Sequence, residues 1–221
     1  MDALRNEISR KQQKKIVIAV ECYHGVYTNE ILSHIENGFA SPKLIHCSAA
    51  MLDVKQVDEL VYSYVTDDPV FGLMAPLELK DFFDEQKIVS LQYEIDTADA
   101  GVTFVIGCGA ALIAPAADLL VYADMPRRGI QLRFRNNSIS NLGADNANAE
   151  FSYQYKRCYF VDWRVCDRHK KTLMNRWDFV LDTTITESPK MITGKALNEA
   201  LLSTTHRPFR VVPFFDPGPW G

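Results

Sequence analysis

Short apolar runs alternate along the chain with segments in which apolar residues recur at helical spacing. The continuous runs are typical of buried parallel strands, and they predict strands at residues 16–20, 43–47, 101–107, 118–124 and 177–183. Between them the spacing predicts helices at residues 29–35, 51–65, 76–83, 155–175 and 195–203, and a helix or lid that starts at 130–134. This alternation predicts an α/β fold, a parallel sheet with helices on both faces.

The two ends of the chain differ from this pattern. Residues 1–13 are polar and are predicted to form an arm, as a helix or a loose segment, ahead of one domain over 14–205. The last segment, 206–221, contains "RPFRVVPFFDPGPWG", with four prolines and four large aromatic residues. So apolar a segment is expected to pack on something. It either folds back on the domain or, as we expect, links it to a further domain. Residues 136–150, rich in small polar residues, are predicted to be a flexible loop.

Composition and charge narrow the class of partner. The 221 residues are 47% hydrophobic and 24% charged, with a formal net charge of −4, which gives no basic field for nucleic acid. The densest basic run, 168–171, is interpreted as a solvated helix face. Five cysteines without a CxxC pair are typical of free thiols in a reducing compartment. With a polar N-terminus and no long apolar run, the sequence predicts a cytoplasmic protein that binds neither nucleic acid nor membrane.

The turn after the first strand has the position of a phosphate-binding loop. Such a loop has the form G-x-x-x-x-G-K-[ST], in which glycines expose backbone N–H groups, lysine reaches the phosphates and the hydroxyl binds magnesium. Aligned on Thr28, the glycine positions hold Glu21 and Val26, and the lysine position holds Tyr27. Only Gly25 and Thr28 fit the role. A carboxylate repels phosphate and valine resists the left-handed backbone, so a turn without a ligand and a weak anion site at the helix N-terminus both stay open.

The order of segments resembles the uridine-kinase-like branch of P-loop kinases. The resemblance covers most of residues 14–183 and is carried by the opening strand, turn and helix, followed by "DDPVFGLMAPLELKDFF", "VTFVIGCGA" and "DLLVYADMPRRGIQLRFR". It implies a P-loop nucleoside-kinase-like fold with an arginine-bearing lid. Catalysis in that branch needs acidic residues after the second and third strands, where this chain has Ser48-Ala49-Ala50 and Gly107.

Nearly the whole chain resembles the N-terminal domain of bacterial class I mannose-6-phosphate isomerase-like proteins. The segments that carry this resemblance are "ECYHGVYTNE", "NLGADN", "YKRCYFVDWRVCDRHKK" and "HRPFRVVPFFDPGPWG". It implies a cupin domain as partner, in the same chain or as a separate one, with zinc expected only in that absent domain. The isomerase chemistry, which interconverts an aldose and a ketose phosphate, belongs to the cupin.

Few side chains are left for an active site in this chain. Arg133 and Arg135 in the lid-like segment are candidates for a phosphate, together with Gly25, Tyr27 and Thr28 in the turn. Alternatively, these arginines form salt bridges with acidic residues, namely Asp118, Asp124 or Asp145. No catalytic residue is assigned.

Metal and nucleophile patterns are weak. The five histidines are scattered singly, so no metal site is predicted. Cys22 and His24 lie two residues apart at the strand end, which makes a Cys–His pair conceivable. The polar residues of 162–168 (Asp162, Arg164, Asp167, Arg168) are expected to pair along one helix.

The sequence therefore favours a non-catalytic kinase-like domain with a binding, packing or regulatory role in sugar-phosphate metabolism. Such a domain would contact the cupin domain or sense a phosphorylated small molecule. The alternative is an active nucleoside or sugar kinase that uses ATP and magnesium with an atypical phosphate loop. Isomerase activity in this chain alone is not expected, because the zinc-site segment belongs to the cupin.

Overall fold

A computed structural model describes residues 2–208 of the chain. Six strands form one sheet, and their bounds are β1 Lys15–Cys22, β2 Lys43–His46, β3 Gly101–Gly107, β4 Leu119–Asp124, β5 Phe179–Asp182 and β6 Lys190–Thr193. Their spatial order is β2-β3-β1-β4-β5-β6. The first five strands pair in parallel, and β6 pairs antiparallel with β5. The first strand therefore lies in the middle of the sheet, and all five parallel strands end at the same edge.

The helices of the described residues pack on the two faces of this sheet. Their bounds are α1 Asp2–Lys11, α2 Thr28–Gly38, α3 Val54–Val65, α4 Glu85–Asp96, α5 Ala110–Ile113, α6 Arg127–Arg135, α7 Phe151–Arg157, α8 Trp163–Leu173 and α9 Gly194–Thr205. A π-helical turn, Cys158–Asp162, joins α7 to α8 without a break. None of these helices is long and apolar enough to cross a bilayer.

Two apolar cores form because successive strand residues point to opposite faces. One face of β1, which includes Ile18 and Val20, packs against Leu4 of α1 and Ile31 of α2. The other face, which includes Ala19, packs in a larger core with the remaining helices. The α/β fold class, a parallel sheet with helices on both faces, is thus confirmed.

Three elements differ from the sequence-based expectation, and the short helix α5 is one that the apolar pattern did not predict. The helix predicted at 76–83 is wrong, since the chain there makes only a 3₁₀ turn, Leu79–Phe82. The helix starts instead at Glu85, because the Asp84 carboxylate accepts hydrogen bonds from the backbone N–H groups of the first turn. The edge strand β6 was missed because it is only four residues long and mostly exposed, which hides the apolar pattern of a strand.

The segment predicted as a flexible loop, 136–150, has neither helix nor strand. Its middle is nevertheless held by buried side-chain hydrogen bonds around Asn141. The linker expected over 206–221 lies, from residue 209 onward, outside the described residues.

Candidate functional site

The turn between β1 and α2 lies at the edge where the parallel strands end, the usual place for ligands in α/β proteins. The backbone N–H of Tyr23 donates to Ala123 O of β4 (2.9 Å), and Val26 N–H donates back to Tyr23 O (3.2 Å). Gly25 has a positive φ of 91°, and a Cβ there would lie 2.9 Å from Cγ1 of Ile130. The turn is thus tight and pressed against α6.

Arg133 of α6 covers this turn. Its Nη1 donates to Gly25 O (2.5 Å) and its Nη2 donates to Thr183 O (3.1 Å). The guanidinium carbon lies 3.6 Å from the centroid of the Tyr27 ring, a close cation–π contact. Only 6% of Arg133 is exposed, and this burial lowers the pKa of the guanidinium. Arg133 is therefore bound to carbonyl groups of the chain itself.

Tyr27 is held from its other end as well. Its hydroxyl lies 2.7 Å from Ser138 Oγ, and Ser138 Oγ donates to Arg133 O (2.9 Å). Ring, guanidinium and serine form one unit that joins the turn to the end of α6. At the position of the phosphate-binding lysine the chain thus has Tyr27, whose ring stacks against the guanidinium of Arg133.

Glu21, at the position of the first loop glycine, is buried under the sheet edge. Its two carboxylate oxygens accept from Gly109 N–H (2.7 Å) and Ala111 N–H (2.8 Å) at the start of α5. His169 of α8 places Nε2 at 3.3 Å from Glu21 Oε2, an ion-pair distance without the alignment of a hydrogen bond. Glu21 thus occupies two backbone N–H donors that could otherwise bind an anion, and its own negative charge would repel an anion at this place.

Ion pairs between α8 and other elements close the same edge. Asp167 accepts from the Tyr23 hydroxyl (2.7 Å) and from Arg127 Nη2 (2.5 Å), and Lys170 donates to Asp124 Oδ2 (2.6 Å). Burial raises the pKa of Tyr23, and Asp167 adds to the rise. The expected pairing along one helix is wrong at Asp167, because its partners come from the turn after β1 and from α6.

The basic run 168–171 is solvated only in part. Arg168 and Lys171 are exposed, whereas His169 and Lys170 are half-buried and make the contacts described above. Arg168, although exposed, also donates to Leu77 O (2.6 Å) and Ala75 O (2.5 Å). The interpretation as a solvated helix face therefore holds for two of the four residues.

A second buried cluster lies beside the turn. His24 Nε2 donates to Ser140 O (3.0 Å), since a carbonyl can only accept, and its Nδ1 lies 3.8 Å from Cys158 Sγ. Cys158 Sγ lies 3.3 Å from Asp162 Oδ2. Burial lowers the pKa of His24 and raises the pKa of Cys158. The cysteine next to His24 is thus Cys158, whereas Cys22 lies in the opposite core, so the Cys22–His24 pair that the sequence makes conceivable is not formed.

The structure brings three of the five predicted site residues into direct contact: Gly25, Tyr27 and Arg133. Thr28 is the first residue of α2, adjacent to them. Arg135 is exposed on α6 and stacks on the Phe151 ring at 4.0 Å from its centroid. The alternative salt bridges of these arginines are not formed within residues 2–208.

Two of the three acidic partners named for those salt bridges have other contacts. Asp118 accepts from Val17 N–H (2.8 Å), and Asp124 pairs with Lys170. Sequence reasoning also missed His169, Cys158 and Asp162 as members of these clusters, because contacts across more than 100 residues leave no local pattern in the sequence.

Comparison with known proteins gives one family and several solved structures. The family model described as "Domain of unknown function (DUF8485)" matches residues 1–206. No protein of curated function matches the chain. One similar structure is that of a candidate fructose transport system kinase from Silicibacter sp. TM1040, with 11% identity and a TM-score of 0.48, covering 76% of this chain and 93% of the other. Another is a candidate uridine kinase from Bacillus stearothermophilus, with 14% identity, a TM-score of 0.40 and coverage of 80% and 98%.

Proposed function

The chain belongs to the DUF8485 family, and we propose that it is a non-catalytic domain of kinase-like layout that works by binding another protein domain. One observation carries the first half of this proposal. The turn that would hold phosphate is filled by the chain's own Arg133 and Tyr27, and the neighbouring backbone donors at the start of α5 are taken by Glu21.

The direction of these hydrogen bonds opposes nucleotide binding. A phosphate loop directs N–H groups and a lysine at the phosphates, whereas here Gly25 presents its carbonyl to Arg133. The arginine donors that would pair bidentately with phosphate are occupied by two backbone carbonyls. Releasing Arg133 would break both hydrogen bonds and the stack on Tyr27, so phosphate would have to compensate for these contacts before binding.

An exposed apolar surface supports the second half. Four side chains of the loop before α4 lie at least half exposed, namely Val70, Phe71, Leu73 and Met74. Beside them, the aromatic rings of Tyr155, Tyr159 and Phe160 line a groove of about 440 Å³. We call these seven residues the apolar ledge. An exposed patch of this kind is typical of a protein interface.

One lysine, Lys156, also lines the groove. Its side chain is buried and donates to Thr66 O (3.1 Å) and to Asp68 O, so its charge is directed into the loop that carries the ledge. Apart from Lys156 and Ser152, the groove is lined by uncharged rings and aliphatic side chains, which suits an apolar protein surface better than a phosphorylated metabolite. The partner we propose is the cupin domain implied by the sequence resemblance. In such a complex the cupin domain would carry out the isomerase chemistry, and this chain would bind it.

The claim that the turn binds no nucleotide is tested by calorimetric titration of the full chain with ATP and magnesium, and separately with mannose 6-phosphate. We expect no saturable heat from either ligand. Micromolar ATP binding, followed by magnesium-dependent phosphoryl transfer, would overturn the proposal and favour an active kinase with an atypical loop.

The partner half is tested with a separately produced cupin domain of a class I mannose-6-phosphate isomerase-like protein. We expect a complex in analytical ultracentrifugation that is lost in Phe71→Ser and kept in Tyr93→Ser. Both side chains are 70% exposed, but Tyr93 lies on α4, outside the ledge. No complex with the wild-type chain, or equal loss in both variants, would contradict the docking role.

A further inference from the structure

Three side chains with metal-binding atoms converge in the core next to the turn after β1. His24, Cys158 and Asp162 each place one ligand atom within 4.8 Å of the ligand atoms of the other two, and all three residues are buried. We propose that this cluster is a binding site for a divalent metal ion of the zinc type. No local sequence pattern indicates this site, because His24 lies more than 100 residues before Cys158 and Asp162.

The spacing of the donor atoms suits zinc. A Zn–S bond of about 2.3 Å and a Zn–N or Zn–O bond of about 2.0–2.1 Å, at a tetrahedral angle, place two donors about 3.5 Å apart. Cys158 Sγ lies 3.8 Å from His24 Nδ1 and 3.3 Å from Asp162 Oδ2. One nitrogen, one thiol sulfur and one carboxylate fill three tetrahedral positions and leave the fourth for a water molecule.

The backbone prepares two of the ligands. Cys158 and Asp162 are the two ends of the π-helical turn between α7 and α8, and such turns are frequent at functional sites. His24 is fixed by the hydrogen bond from Nε2 to Ser140 O. This contact leaves the Nδ1 lone pair directed at Cys158, which is the way metal-binding histidines are usually oriented by their outer partners.

Outer contacts hold the carboxylate and leave it able to bind. Arg157 Nε lies 3.4 Å from Asp162 Oδ1, so the second oxygen, Oδ2, faces the cluster. Leu142 N–H donates to Asp162 Oδ2 (3.3 Å).

The Asn141 amide group donates to Asp162 Oδ2 (2.6 Å), and its second hydrogen has two acceptors within reach, Gln154 O (3.0 Å) and Cys158 Sγ (3.3 Å). This amide is oriented by Asn146 Nδ2, which donates to Asn141 Oδ1 (2.9 Å). N–H donors directed at a thiolate sulfur and at a bound carboxylate stabilise the negative charge of both groups.

The charge balance favours a bound divalent ion. When Zn²⁺ binds, the Sγ–H bond of Cys158 breaks, the proton passes to water, and the thiolate electron pair forms the Zn–S bond. Arg157 is shared between the carboxylates of Asp162 and Asp58, so these three side chains and the neutral thiol carry one net negative charge. Replacing the thiol proton by Zn²⁺ adds one positive charge and brings the sum to zero. The bound ion would join the turn after β1 to the helix pair α7–α8.

Cobalt and zinc loading of the full chain tests the site. The chain is produced with zinc, freed of loose metal and assayed for stoichiometry, and a second sample is loaded with Co²⁺. We expect one metal ion per chain, with a thiolate-to-cobalt charge-transfer band and the visible bands of tetrahedral cobalt. The band should be absent in Cys158→Ser and unchanged in Cys166→Ser, which alters another buried cysteine on α8.

If Cys158→Ser does not fold, the wild-type protein alone can show whether the metal is bound through sulfur. X-ray absorption at the zinc edge should then show one sulfur neighbour at about 2.3 Å among nitrogen and oxygen neighbours. The proposal is overturned by wild-type chain that retains no stoichiometric metal, by a metal shell without sulfur, or by a charge-transfer band that survives in folded Cys158→Ser.

Discussion

Replacing Glu21 by glutamine tests whether this buried carboxylate holds the start of α5. In the wild type, each carboxylate oxygen accepts one backbone hydrogen bond, from Gly109 and from Ala111. Glutamine keeps one acceptor oxygen and turns an NH₂ group toward the other N–H. One charge-assisted hydrogen bond is lost, worth about 1.5–3 kcal/mol, and a buried donor is left without a partner, which costs about 1–3 kcal/mol.

Because the two costs overlap, we expect Glu21→Gln to lower the free energy of unfolding by about 3 kcal/mol. For a chain of this length, that loss lowers Tm by about 6–12 °C. Calorimetry and urea unfolding of the folded full chain measure it. The matched control is Glu59→Gln on α3, whose exposed carboxylate lies 3.9 Å from Lys55 Nζ and contributes about 0.3–0.5 kcal/mol.

A Tm of Glu21→Gln equal to that of the wild type would refute this reasoning. It would mean that the hydrogen bonds from the backbone N–H groups of α5 to Glu21 do not stabilise the fold, so that this carboxylate could bind another group at the strand edge. A large loss of stability in both glutamine variants would also contradict the assignment, because it would not depend on the buried contacts.

Three further outcomes follow from the same contacts. Arg133→Met should speed hydrogen exchange of the amides in the turn after β1, whereas Arg135→Met, which alters an exposed stack, should leave them unchanged. Arg157→Met should cost about 3–5 kcal/mol in urea unfolding, because it leaves the buried Asp162 carboxylate without its cation. Tyr23 has a raised pKa through burial, so the stability it contributes is present below about pH 10 and falls above it; stability above pH 10 should fall more steeply for the wild type than for Tyr23→Phe.

Apolar pattern was enough to predict the layers of the fold. The runs that became β1, β3 and β4 are buried on both faces, so nearly every residue in them is apolar and the pattern is unambiguous. It failed at 76–83, where the Asp81 carboxylate accepts from Glu78 N–H at the start of a single 3₁₀ turn. The backbone is extended at Phe83 and Asp84, which ends this turn, and Asp84 then caps the next helix; hydrophobic spacing does not show these backbone conformations.

The candidate site at the turn after β1 was predictable only in part, because its residues come from distant segments of the chain. The unsuitable residues of the turn, Glu21 and Tyr27, could be recognised because a phosphate loop has strict local requirements. The side chain that covers the turn could not be recognised from the sequence. Arg133 lies more than 100 residues after the turn, and its partners are backbone carbonyls, which every sequence contains. The same applies to His24 and Cys158, whose contact depends on how α7 and α8 pack against the turn.

The most direct test of the central claim is a titration of the ¹⁵N-labelled full chain with ATP and magnesium, observed at the backbone amides of the turn after β1. If the turn is filled by the chain's own side chains, the amide signals of Gly25 and Thr28 stay in place up to millimolar nucleotide. Saturable shifts of these two amides at micromolar nucleotide would show that the turn still holds phosphate, and would contradict the account.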